Sequence, residues 1–206
     1  RQNPASANRD LPAAAGYRLA LDLDPDDLEA IRSLSVVTEA SMDPADLIPL
    51  HQREIELLGT EPNGRERRGE LWRKLATLYR SDDETRPEAI DAYLEAEKIE
   101  RLSAPDELAL ARLFESVGNL EEFSTVFGRW CDREDAGSDV SDHLELARMN
   151  QSRNESALAE QRAERATAVA PENADAWSLL AELKRADDRL EVAADAFERA
   201  ADHSSA

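Results

Sequence analysis

The sequence predicts an all-α chain built as a stack of antiparallel helix pairs. Three observations carry this. Large apolar and small residues recur together at intervals of about 34 positions, the signature of a repeat architecture. Within each interval the apolar residues fall at i, i+3 and i+7, so each helix buries one stripe. Alternation of β-branched residues, the mark of a half-buried strand, is nearly absent. A single hairpin of this kind has too little apolar surface to fold alone and must stack on its neighbour.

Taken in order, residues 1–10 read as coil, and Ala13, Tyr17, Ala20 and Pro25 space out a helix with a closing proline in a partial unit over 11–27. A degenerate unit over 28–66 carries Leu28, Ile31 and Leu34, then Asp43-Pro44 as a helix start before Leu47, Ile55 and Leu58. The unit over 69–103 is the fullest: Trp72, Leu75, Ala76 and Tyr79, a turn through Ser81 to Arg86, then Ala89, Tyr93 and Ala96. Over 104–139, Leu110, Ala111 and Phe114 precede a Gly118-Asn119 turn, and Phe123, Phe127 and Trp130 bring aromatics to sites that are small elsewhere. The unit over 140–173 holds His143, Leu146, Ala147, Ala159, Ala166 and Pro171, and the last, over 174–206, holds Trp177, Leu180, Ala181, Ala193, Phe197 and Ala200. Ser103, Asp139 and Asn173 each stand four positions before the Trp177-type residue, where a side-chain oxygen caps the first turn. Asp106, Asp142 and Asp175 follow where a carboxylate meets the positive end of the helix dipole.

These residues resemble the tetratricopeptide repeat, whose signature is W-x2-L-G-x2-Y, then A-x3-F, then a proline closing a 34-residue unit. Ala181 and Lys184 depart from the usual Gly and Tyr. The resemblance implies about eleven helices in a single right-handed superhelical solenoid over 1–206, with the first helix of each pair lining a concave face. Both ends lack a polar capping helix, so the expectation is a fragment of a longer chain, or an end covered by another chain.

Composition narrows the function. Forty-five acidic against 25 basic residues give a net charge of −20, which disfavours nucleic acid, whose binding needs phosphates neutralised by Lys and Arg. One cysteine and three histidines leave no disulfide framework and no zinc-thiolate site, so no metal or cofactor is expected. No glycine-rich phosphate loop and no apolar run long enough for a membrane span is present. The expectation is a soluble, non-enzymatic chain, the cytoplasm favoured over the periplasm. Arg accounts for all but Lys74, Lys98 and Lys184 of the basic residues, which points to a GC-rich, bacterial coding sequence.

The concave face that the resemblance implies carries six Arg (Arg32, Arg73, Arg80, Arg112, Arg148, Arg185) against five Glu and one Asp, and so is formally neutral. The candidate partner-binding residues are these six with Thr77 and Gln151. Two readings of the arginines stand side by side. Arg73, Arg80, Arg112 and Arg148 form a row for an acidic segment or a terminal carboxylate, or they pair with Glu three or four positions away and do little. A chaperone-type carboxylate clamp is not expected, because Thr77, Ala109, Ser141 and Glu145 occupy its other sites. Trp72, Trp130 and Trp177 read as packing residues, and His143 as a satisfied buried imidazole. Cys131 reads as a half-buried small residue with no histidine near it in sequence. The functional expectation is a scaffold presenting a groove to a peptide or protein. The alternative is self-assembly through uncovered ends, with Tyr17 and Leu19 at one and Leu190 and Phe197 at the other.

Overall fold

The computed structural model describes residues 4–39 and 44–204. The chain divides into two compact units, residues 1–102 and 103–206, and the boundary falls where the expected unit 69–103 gives way to 104–139. The first unit contains α1 (Pro4–Leu23), α2 (Leu28–Thr38), α3 (Pro44–Leu58), α4 (Arg65–Tyr79) and α5 (Arg86–Ile99). Single 3-10 turns, Pro62–Gly64 and Asp83–Thr85, lead into α4 and α5. The second unit contains α6 (Ala104–Ser116), α7 (Leu120–Cys131), α8 (Val140–Ser152), α9 (Ser156–Val169), α10 (Ala174–Ala186) and α11 (Leu190–Ser204). Eleven α-helices and no strand are found among the described residues, and no described helix is long and apolar enough to cross a membrane.

The segment 1–10 is not coil throughout, since α1 begins at Pro4; a proline's fixed φ suits the first helical turn, where its missing N–H is not needed. Capping follows the sequence elsewhere. Ser103 accepts from Asp106 N at 3.3 Å and Asn173 from Ala176 N at 2.9 Å. Asp139 forms a full capping box, accepting from Ser141 N and Asp142 N while Asp142 accepts from Asp139 N at 2.9 Å. Asp27, which sequence reading passed over, caps α2 through Glu29 N and Ala30 N, both at 3.0 Å. Asp43, expected to start α3, lies outside the described residues. The turns of the second unit's hairpins use one left-handed residue each: Gly118, Asn154 and Asp188 have φ of 76°, 61° and 60°. Glycine enters this region without strain and Asn and Asp more readily than other side chains.

Small residues set the packing distance. In the first unit Ala76, Ala89, Ala92 and Ala96 are buried beside Leu71, Leu75 and Tyr93. In the second, Ala147, Ala159, Ala163, Ala166 and Ala176 pack with Leu144, Leu179, Leu180 and Leu183 into one core. Trp177 lies against that core only partly buried: its indole N–H donates to Pro171 O at 2.7 Å, and the Arg199 guanidinium sits 4.7 Å over its ring. Trp72 is likewise only part-buried, whereas Trp130 is buried. α7 is built differently, with Phe123, Phe127 and Trp130 stacked in a ladder at centroid spacings of 5.0 and 5.4 Å.

Buried or half-buried carboxylates join neighbouring helices in both units. Glu54 of α3 is fully buried between Arg32 of α2 and Arg67 of α4. Glu107 of α6 accepts from Arg129 Nε at 2.7 Å and Arg133 Nη1 at 2.9 Å. Glu160 of α9 accepts from Lys184 and Arg189, and their hydrogen bonds and charge hold its carboxyl down at about 2.

Candidate interaction faces and a pocket

In the first unit, Arg32, Arg73, Thr77 and Arg80 lie on α2 and α4 or at the end of α4. Arg32 is committed to the fold, its Nε donating to Glu54 Oε1 at 2.7 Å. Arg67 grips both oxygens of the same carboxylate at 2.9 Å and reaches Glu70 Oε2 at 2.8 Å. Lys74 continues the network to Glu39 at 2.5 Å and Glu70 at 3.3 Å. Burial pushes the Glu54 carboxyl up, but the hydrogen bonds from Arg67 and Arg32 outweigh it and hold it below its ordinary value. Arg73 is 3.5 Å from Glu100 Oε2, and the Thr77 hydroxyl donates to Arg73 O at 3.0 Å. Arg80, at the C-terminus of α4, is exposed, and no ion pair to it is found among the described residues.

In the second unit, Arg112 of α6 makes a bidentate pair with Glu145 of α8, at 2.7 and 2.9 Å, and a third bond to Glu115 at 3.0 Å. Its guanidinium lies 4.6 Å over the Phe127 ring and 5.4 Å from that of Phe123. A planar carboxylate on a forked guanidinium is the contact expected of an acidic ligand, and here the fold itself supplies it. The local pairing read from sequence found Glu115 and missed the dominant partner, one hairpin away. Arg148 and Gln151 of α8 are exposed, and no ion pair to Arg148 is found among the described residues. Arg185 of α10 lies 5.9 Å over the exposed Phe197 ring.

A pocket of about 210 Å³ opens between the ends of α7 and α9 and the start of α8. Cys131, Asp132, Arg133, Glu134, Ser138, His143, Arg165 and Val169 line it. His143 stands at the Trp177-type position of its unit, and the smaller imidazole leaves room there. Two readings from sequence are corrected. His143 is buried but not satisfied, for Nδ1 has no hydrogen-bond partner. Cys131 is buried rather than half-buried, and the loop over 132–139, by returning α8 to the end of α7, sets His143 in the wall of the same pocket. Burial, and then the Asp142 carboxylate, push the Cys131 thiol up to about 12, which removes it as a nucleophile near neutral pH.

Burial and then the Arg162 charge lower the His143 pKa, and burial and then Lys74 lower that of His51 in α3. A histidine whose folded pKa lies below its unfolded value contributes stability that is full above the unfolded value, 6.5, and is lost as pH falls below it. Urea midpoints are therefore expected to fall between about pH 6.5 and pH 5, before the paired carboxylates titrate. A His143→Gln/His51→Gln chain that is folded but keeps the same slope over that interval would contradict this.

No protein-family model matches the chain, and no curated protein sequence matches it. Solved structures do resemble it. The crystal structure of YrrB, a TPR protein with an unusual peptide-binding site, has a TM-score of 0.53 at 13% identity, over 92% of this chain and 93% of that one. The crystal structure of MamA protein has a TM-score of 0.51 at 12% identity, over 86% and 92%. At these identities the likeness is one of fold: the chain has the tetratricopeptide-like fold of stacked helix pairs.

Proposed function

We propose that the chain is a non-enzymatic interaction module that presents its first-helix faces to a peptide or protein, favouring a short acidic segment or a terminal carboxylate. The observation that carries this reading is the split among the candidate arginines. Arg32 and Arg112 are consumed by internal carboxylates, while Arg80 and Arg148 stay exposed, with no ion pair found among the described residues. Holding a guanidinium beside the acidic groups of a chain of net charge −20 without pairing it leaves a site to which a ligand carboxylate can add a bond. Arg73, Thr77, Gln151 and Arg185 complete the proposed contacts within their own units. YrrB, which shares the fold, is a TPR protein with a peptide-binding site, and that supports extending a peptide-binding role to this chain.

The test is affinity capture from a lysate with three baits of verified helicity. These are the unmodified chain, an Arg73→Glu/Arg80→Glu chain and an Arg148→Glu/Arg185→Glu chain. Arg112 is left intact because its loss would disturb the fold. Partners missing only from the substituted baits are expected, and identical partner sets for all three would overturn the reading.

A second reading, self-assembly through the ends, is favoured by Leu190 at 60% and Phe197 at 38% exposure on α11, with Leu19 and Leu23 exposed on α1. It requires a mass that rises with concentration over roughly 1–100 μM, and a rise that Phe197→Glu abolishes.

A further inference from the structure

We infer that the pocket between the ends of α7 and α9 receives one aromatic side chain, Trp above all, of a bound protein or peptide, seated against His143 and stacked under Arg165. The repeat itself carries the argument. Each hairpin of the 103–206 unit places an arginine of its second helix 22 positions after the Trp177-type residue of its first. In α6 and α7 the pair is Glu107 and Arg129, joined at 2.7 Å. In α10 and α11 it is Trp177 and Arg199, with the guanidinium 4.7 Å over the ring. In α8 and α9 it is His143 and Arg165, and there the arginine meets neither a carboxylate nor an indole. Arg165 is exposed in the pocket wall, and no ion pair or ring contact to it is found among the described residues.

Size and charge select the occupant. The pocket, about 210 Å³, lies where the next hairpin carries its indole, and an apolar cavity of about 150 Å³ already admits a benzene ring. A carboxylate, which fills this place in α6 and α7, is disfavoured here. Asp132 and Glu134 stand in the wall, and Arg133 is already spent on Glu107 and Asp135. The surfaces left for contact are uncharged near neutral pH. Val169 is 50% exposed, burial holds the Cys131 thiol protonated, and burial with the Arg162 charge keeps His143 neutral. A neutral ring covers these groups and turns its face to Arg165, a stacking that guanidinium makes readily. The inference rests on the reading of the chain as an interaction module, and adds an anchor outside the arginines assigned to it.

The test titrates the full chain with N-acetyltryptophan amide, following backbone amides by NMR and affinity by calorimetry. Saturable one-site binding is expected, with shifts centred on Cys131, His143, Arg165 and Val169, and weaker binding of N-acetylleucine amide. His143→Trp should fill the site and abolish binding while helicity is kept. Arg165→Ala should weaken binding by about two- to thirtyfold, the range of a cation on an aromatic face. Should His143→Trp fail to fold, this substitution at an exposed position decides. Absence of saturation, shifts centred elsewhere, equal affinity for the leucine compound, or undiminished binding in either folded variant overturns the inference. So does saturation by free indole without the capped residue, which marks a slot for a small molecule. The titration involves none of Arg73, Arg80, Arg148 or Arg185, so it succeeds or fails separately from the capture experiment.

Discussion

Arg67→Met is expected to destabilise the 1–102 unit by about 3–5 kcal/mol, the range for breaking a buried ion pair from one side. Arg67 supplies two of the three hydrogen bonds to Glu54, whose carboxylate is fully buried. Without it, only Arg32, whose side chain is 44% exposed, remains to offset the desolvation of that charge. Glu54→Gln should cost less, because the amide carries no charge and the two arginines can turn to water. A double substitution, Arg67→Met with Glu54→Leu, should recover much of the loss, since an ion pair replaced whole by apolar groups is often nearly neutral. Urea midpoints with an unchanged slope measure all three. If Arg67→Met and Glu54→Gln cost the same, burial of the carboxylate is not what makes Arg67 necessary. The pH dependence has a defined sign. The Glu54 pKa is lowered in the fold, so its contribution is present above the unfolded value and is lost as pH falls through the lower folded one.

Phe123→Ala should cost the 103–206 unit about 3–5 kcal/mol, although it restores the small residue that this repeat position carries elsewhere. In the 69–103 unit the corresponding residue is Ala89, fully buried against its partner helix. A reading by repeat consensus therefore predicts a neutral or stabilising change. The structure predicts the reverse. The Phe123 ring is fully buried, stacked 5.0 Å from Phe127, and the Arg112 guanidinium lies 5.4 Å from it. α6 and α7 pack around that ring, so its removal leaves a cavity and strips one side from the Arg112–Glu145 pair. Calorimetric unfolding distinguishes the two accounts, and a melting temperature at or above that of the unmodified chain would favour the consensus.

These cases mark how far the sequence could be read. Helix pairs, hairpin turns and the caps at Ser103, Asp139 and Asn173 were legible because their determinants lie within one or two helical turns. Burial of Ala159, Ala166, Ala193 and Ala200 was legible too, for a small residue recurring at fixed spacing has no role on a solvated face. Partner choice was not. Glu54 and Glu107 look like surface glutamates in the sequence, and the only signal is faint: each sits on the apolar side of its helix, among residues that must be buried. Trp177 packs against the core as its position in the repeat suggested, but only partly buried, since a repeat signature fixes where an aromatic stands in its unit, not how completely its neighbours cover it.

The sequence by itself determined that this chain is all-α, that its helices pair at roughly 34-residue intervals, and where most of them start. Backbone hydrogen bonding in a helix is local, and a buried stripe repeats with the helical period. Only the tertiary structure decided which arginines stay exposed and which are spent inside the fold. Arg112 finds Glu145 across 33 positions and Arg32 finds Glu54 across 22, distances over which neither periodicity nor propensity carries information. The placing of Cys131 and His143 in the wall of one pocket was decided in the same way, by a loop that returns the chain to its own helix end. A charged or nucleophilic group takes its chemistry from the groups packed around it, and for these residues those neighbours come from other helices.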